Sequence, residues 1–245
     1  MNTGKTPYPS IIASAVMIAL AMTLAGWFVG RGFEQTRSYE RFVTVKGLAE
    51  RNVVADRAVW PITFVATDDD LQVAQGTIAD DTMTVRSFLS RHGIDPTDIE
   101  LQNLAVTDQL AQAYRSGPVD SRYIIEQTLL VRSGDVEAVR QATQDIGSLL
   151  SEGVVLGGQG YRPGPSFIFT GINDIKQGMI AEATANARSS ADQFARDSES
   201  RLGSIRRANQ GVFQILPADG ADNLTESSQI NKTVRAVVTL EYFLE

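Results

Sequence analysis

The stretch "RAVWPITFVATDDDLQVAQGTIADDTMTVRSFLSRHG", Arg57–Gly93, carries two periodicities in succession. In its first part Trp60, Ile62, Phe64 and Ala66 recur at every second position, the repeat of a strand with one buried face. Pro61 cannot donate a ladder hydrogen bond, so the strand has an edge or a bulge there. Beyond the three aspartates the repeat lengthens. Leu71, Ala74, Ile78, Val85, Phe88, Leu89 and His92 fall on one helical stripe, which Gly93 ends. Thr67 with Asp70 three residues later has the spacing of a capping box.

Working outward, "RFVTVKGLAE" (Arg41–Glu50) is a second β-rich run, and the polar turn Arg51–Arg57 predicts a hairpin between the two. Downstream, strands are predicted around Ile99–Leu110 and Tyr123–Arg132, separated by the loop "AYRSGPVD". A second amphipathic helix then carries Val136, Val139, Thr143, Ile146 and Leu150. Ser151–Ser166, "SEGVVLGGQGYRPGPS", is dense in Gly and Pro and reads as a loop or hinge between halves. After the short strand "FIFTG" comes a long helix, Asp174–Gly203, capped by Asn173 or Asp174. Its inner stripe is Ile175, Met179, Ala183, Ala187, Ala191, Phe194 or Ala195, and Leu202, and its alanines permit close approach to a sheet. Strands at Arg206–Leu216 and Lys232–Leu244 complete the chain. In the last, Val234, Ala236, Val238, Leu240, Tyr242 and Leu244 make one apolar face, while the other is half solvated. Runs of strands punctuated by helices predict an α+β fold of mainly antiparallel sheets with amphipathic helices on one face. The repeated helix-then-two-strands order is compatible with a diverged internal duplication, although no residue-level self-similarity survives.

The chain has 245 residues, 43% of them hydrophobic, enough for one sizeable core or two small ones. A net charge of -7 with no basic run argues against nucleic-acid binding. With no cysteine, disulfides, thiol nucleophiles and thiolate metal sites are excluded.

Ile11–Gly30, "IIASAVMIALAMTLAGWFVG", contains no charge, and as a helix it covers roughly 30 Å, the thickness of a bilayer's hydrocarbon core. The alternative is a signal peptide cleaved at Ala19-Leu20-Ala21. Because apolar character continues through Met22, Leu24, Trp27 and Val29, the segment reads as a retained signal anchor. The organisation expected is a cytoplasmic amino terminus (1–10), a transmembrane helix (11–30), a polar linker (31–41) and an exported domain (42–245) with halves at 42–152 and 165–245.

"VTVKGLAERNVVADRAVWPITFVA", the alanine-rich helix ending in Arg201-Leu202-Gly203, and the closing "NKTVRAVVTLEYFL" together resemble the SIMPL-domain family of bacterial exported and membrane-anchored proteins. The similarity covers about Phe42 to Leu244. It is carried by V-x-V-x-G-x-A-E-R with a following Asp-Arg, by that helix, and by the Val-rich last strand. "GGQGYRPGPS" departs from the family's tighter passage at that point. The resemblance implies an α+β domain in the cell envelope, oligomers built through sheets and helices, links to envelope or oxidative-stress tolerance, and no established enzymatic activity.

No residue set asks for catalysis. His92 is the single histidine, and at a helix end it suits the helix dipole. Asp68–Asp70 at a helix start fit capping better than a metal site, and Asp80-Asp81 solvate an outer face. Gly157-Gly158-Gln159-Gly160 is not a phosphate-binding fingerprint. Arg201, Arg206 and Arg207 fit dipole compensation at the end of the long helix. The expectations are therefore no catalytic, cofactor-binding or metal-ligating residues, and a homo-oligomer tethered to the bacterial inner membrane with its domain in the periplasm. The alternative is a ligand-binding or accessory subunit of an envelope complex, contacting its partner through Gly153–Ser166 and the loop after Leu216.

Overall fold

The computed structural model describes residues 8–38, 41–111, 120–158, 164–220 and 225–245, with the side chains of the first helix described over 13–29. Among these residues five α-helices, α1 (Tyr8–Ser38), α2 (Leu71–Arg91), α3 (Val136–Gln144), α4 (Gly147–Ser151) and α5 (Ile172–Asp197), accompany seven strands. These are β1 (Phe42–Val54), β2 (Arg57–Asp68), β3 (Ile99–Asp108), β4 (Tyr123–Ser133), β5 (Ser166–Ile168), β6 (Leu202–Pro217) and β7 (Asn231–Leu244). The strands form two sheets, ordered β1-β7-β6 and β3-β4-β2-β5. The α+β class holds, and every pairing in the four-stranded sheet is antiparallel. The chain divides into two compact units interleaved along the sequence. One is Met1–Ala49, Ile180–Val212 and Ala236–Glu245; the other is Glu50–Met179 and Phe213–Arg235.

The expected hairpin between β1 and β2 does not form. β1 pairs with β7, and β2 pairs with β4 and β5. A two-residue hairpin needs positive φ at its centre, and Ala55-Asp56 is not the Asn-Gly or Gly-Gly type that supplies it. Instead the chain changes sheets there: Ala55 N–H donates to Ile230 O (2.8 Å) and Asp56 N–H to Ile168 O (3.0 Å).

Asp56 does a second job. Its carboxylate accepts from the Thr170 N–H and hydroxyl (3.0 Å each) and from the Gly171 N–H (3.1 Å). It thereby satisfies amides at the entry to α5, a helix whose own Asp174 sits in its first turn rather than at the cap. Asp56→Ala is expected to lower stability by about 2 kcal/mol, because several charge-assisted bonds go together. Urea unfolding checks this, and Asp56→Asn, which keeps one acceptor oxygen, should fall between the two. An unshifted midpoint for the alanine variant would show that water replaces these bonds at no cost.

In the second unit, Ala58, Trp60, Ile62, Phe64 and Ala66 of β2 are all buried, as the alternation predicts, against Ala74, Ile78, Val85, Phe88 and Leu89 of α2. Pro61 is paired with Leu130 on one side only, since β5 pairs with β2 no further than Val59. On that side the next bonds come from Gly157 N–H to Thr63 O and Val65 N–H to Val155 O, so the proline falls in the gap. The cap of α2 is Asp70 itself, accepting from Gln72 N–H at 2.7 Å, and not Thr67. The next helical segment also differs from expectation. It breaks at Asp145, and the buried positions are Ala138, Val139, Ala142 and Leu149, leaving Leu150 exposed.

In the first unit, the alanine stripe of α5 is as expected: Ala183, Ala187 and Ala191 are fully buried and Ala195 nearly so, while Phe194 is exposed. The helix ends at Asp197 rather than near Gly203. Glu199 takes a left-handed φ of 53°, and Ser200 N–H turns back to Ala195 O. Arg206 therefore lies on β6, paired with Glu241 at 3.2 Å and stacked 4.2 Å over the Phe42 ring, and does not serve the helix end.

α1 runs on through residues 31–38, where the sequence suggests a linker. Among the described residues no helix is long and apolar enough to cross a membrane. Burial within the expected span 11–30 is described for residues 13–29, so Ile11, Ile12 and Gly30 lie outside it.

Candidate functional site

His92 packs its ring on Phe88 (centroids 4.5 Å apart), with Nδ1 3.0 Å from Phe88 O and Nε2 3.3 Å from the Asp145 carboxylate. Asp68 accepts from Asp70 N–H (2.8 Å) and Asp69 from Arg122 N–H (2.9 Å). Among the described residues no three His, Asp or Glu side chains converge as a metal site would require. In the motif V-x-V-x-G-x-A-E-R, Val45, Gly47 and Ala49 point into the core, and Glu50 accepts from Arg235 Nε at 2.6 Å.

Asp80 is exposed, but Asp81 is half-buried. Burial, with the Asp80 charge second, raises the Asp81 carboxyl above its ordinary value. A folded-state value above the unfolded one disfavours folding once the group ionises. That penalty is absent below the ordinary carboxylate range and complete above the raised value. Asp81→Asn is therefore expected to raise the melting temperature near neutral pH and to leave it unchanged near pH 3. A gain of equal size at both pH values would assign the effect to something other than charge.

Two surface features of the second unit bear on function. The first is an open cleft of about 560 Å³ with a mixed lining: Glu137 and Arg140 of α3, Phe167 of β5, Val54 at the end of β1, and Asp219, Gln229 and Ile230 from the segment between β6 and β7. Arg140 Nε donates to Glu137 at 2.8 Å and its Nη2 to the other carboxylate oxygen. This bidentate pair, aided by Gln141, holds the Glu137 carboxyl down at about 2, so both wall charges persist at any physiological pH. Of the two loops expected to act together, only the one after Leu216 contributes to the cleft among the described residues. Residues 154–158 lie along β2 instead, and 159–163 are outside the described residues.

The second is an apolar groove of about 380 Å³ between α2 and the outer part of the sheet, lined by Leu71, Gln75, Ile78, Leu104, Val106 and Ile125. α2 packs mainly on β2 and β4, and with β3 it borders the groove. β3 is an edge strand, and a register shift between Leu101 and Asn103 puts an extra residue into it. That bulge sets Leu101, opposite Leu129, on the same face as Leu104, opposite Gln127, and Val106, opposite Ile125. Gln127 Nε2 closes the irregularity by donating to Asn103 O at 2.6 Å. All three apolar side chains are about half exposed, at 52%, 55% and 53%. The sequence reading names one wall of the cleft, the loop after Leu216, and nothing of the groove. The mismatch between an odd-numbered Leu101 and the even-numbered Leu104 and Val106 was the available sign of the bulge.

No curated protein matches the chain. The family model that does match, over residues 43–242, is SIMPL, described as a protein of unknown function (DUF541), and its span takes in both sheets, the edge strand and the cleft. The chain belongs to the SIMPL family.

Proposed function

We propose that the protein is a non-catalytic component of the bacterial cell envelope, tethered to the inner membrane by its amino-terminal segment, whose SIMPL domain works on the periplasmic side by associating with copies of itself. The observation that carries this reading is the exposed apolar side chains on two long edge strands, β3 and β6. β3 presents three half-exposed apolar side chains, and β6 presents Ile205 (50% exposed) and Val212 (75%). Exposed edges of this kind pair with other chains unless they are blunted or covered. The tether rests on the uncharged run of residues 11–30, long enough as a helix to span the hydrocarbon core. A scaffold, ring or stress-protection role follows from assembly rather than from chemistry. The test is the mass of the full chain in mild detergent. Assembly predicts a defined multiple of the protomer; a monodisperse monomer well above micromolar concentration would overturn it, and release of the chain by high salt without detergent would overturn the tether.

The cleft favours a second reading, an accessory or ligand-binding subunit of an envelope complex. A foreign protein co-purifying in stoichiometric amount, and lost when the loop 218–230 is shortened, would select this reading over self-assembly.

A further inference from the structure

The cleft beside α3 has fixed walls. Ala55 N–H donates to Ile230 O (2.8 Å), Ala218 N–H donates to Asn231 O (3.3 Å), and the turn Glu226–Ser228 is tied to the buried Lys232. The Gln229 carboxamide is spent on the main chain of Asp219. Its Oε1 accepts from the Asp219 N–H (3.3 Å), and its Nε2 donates to the Asp219 carbonyl oxygen (3.4 Å). Asp219 is thus held at both backbone groups, while its carboxylate meets no donor among the described residues. The other charges lining the cleft are matched, Arg140 with Glu137 at 2.8 Å. Lys232 does not serve Asp219, because its ammonium group is buried against Glu226. One unmatched negative charge therefore faces the cleft, on a chain whose net charge is -7. Apolar surface shares the lining: Val54, 57% exposed, with Ile230 and Phe167.

Resting on the second reading above, that of a ligand-binding subunit, we infer that this cleft takes an organic cation, an ammonium or guanidinium group on a short aliphatic stem, with the charge at Asp219 and the stem along Val54 and Ile230. A volume of about 560 Å³ lies within the range of small-molecule sites. A carboxylate whose backbone is fixed before the ligand arrives gives up little freedom on binding it, which separates Asp219 from an acid on a free loop. An anion would meet that carboxylate, and Arg140 already gives its bidentate face to Glu137. A bare metal ion asks for several carboxylate oxygens, and among the described residues no three acids converge.

The test uses probes that share one stem and differ in charge. n-Butylammonium, 1-butanol and butyrate are titrated into the full chain in mild detergent and followed by amide chemical shifts. The expected result is a saturable shift with butylammonium at Val54, Asp219 and Ile230, and none with butyrate. Asp219→Asn, at an exposed site whose main-chain bonds it keeps, is expected to weaken butylammonium about tenfold with an unchanged melting temperature. Glu137→Gln leaves Arg140 without its carboxylate and is expected to weaken butylammonium and admit butyrate. A lysine-bearing tripeptide, blocked at both ends, separates two sources of the same chemistry. Tighter binding than butylammonium assigns the cation to a basic side chain of another polypeptide, weaker binding to a free amine, and either leaves it at Asp219. Equal affinity in Asp219→Asn, butyrate binding to the wild type at these residues, or no saturable shift with either cation would overturn the assignment. The ligand-binding reading itself is decided separately, by the co-purification described above.

Discussion

Gly47→Ala is expected to lower the unfolding free energy by at least about 3 kcal/mol, at the upper end of what overpacking costs, and Gly47→Val to prevent folding. A β-carbon at this position would lie 1.8 Å from the Ala183 carbonyl oxygen and 2.6 Å from the Ala187 nitrogen. Those atoms are backbone, so no rotamer change relieves the collision; either α5 moves off the strand or the strand deforms. The contact is a match of small residues. Val45, Gly47 and Ala49 share the inward face of β1, and Ala183, Ala187 and Ala191 recur every fourth residue along the facing side of α5. Asn186 Nδ2 fixes the separation by donating to Leu48 O at 2.8 Å. Because the collision is with main chain, adding Ala187→Gly, which removes only a side-chain neighbour, is expected not to rescue Gly47→Ala. The control is Gly76→Ala on the exposed side of α2, where a β-carbon meets nothing within 4 Å. There the change should stabilise by about 0.5–1 kcal/mol through helix propensity. Denaturant midpoints of the four variants decide the matter, and a Gly47→Ala protein as stable as wild type would mean the helix can move away from the strand at little cost.

The same stretch shows where local sequence carries the fold and where it stops. Alternation in β2 and β7 and the alanine stripe of α5 were legible because one face of each element is buried and the spacing alone reports it. Two adjacent β runs invite pairing, yet β1 and β2 form no hairpin, because Ala55-Asp56 lacks the residues a tight turn demands. What holds that junction is the Asp56 carboxylate reaching Thr170 across a sequence separation of 114, and no local pattern reports a partner so distant. The Asp-Arg of the family resemblance was thus visible as a motif and silent as to its job. The cleft was illegible for a related reason, since its wall is assembled from Val54, α3, β5 and the approach to β7, four segments far apart in sequence. Lys232 lies two residues before Val234, on the same face as the buried row of β7, so the parity of the strand places a lysine in the core, where lysines are rare unless paired.

That lysine yields the second large effect, an asymmetry between the two halves of one ion pair. The Lys232 side chain is 0% exposed, and its Nζ donates to the Glu226 carbonyl oxygen at 2.6 Å and to the Glu226 carboxylate, itself 36% exposed. Glu226→Ala is expected to cost on the order of 3 kcal/mol, because it strands an ammonium group out of reach of water with only a carbonyl beside it. Lys232→Met keeps the length and apolar character of the stem. It frees a carboxylate that can turn into solvent, so it should cost about 1 kcal/mol or less. Combining the two should recover most of what Glu226→Ala loses, and that non-additivity, measured in a double-mutant cycle by denaturant unfolding, identifies the buried charge as the cause. Lys232→Met should nevertheless raise amide exchange at Ser228 and Gln229, since the tie lies in the short turn Glu226–Ser228 that leads to the cleft wall. If instead the lysine variant proves the more damaging and the double variant no better than either, the stem's packing and not its charge is what β7 requires at this position.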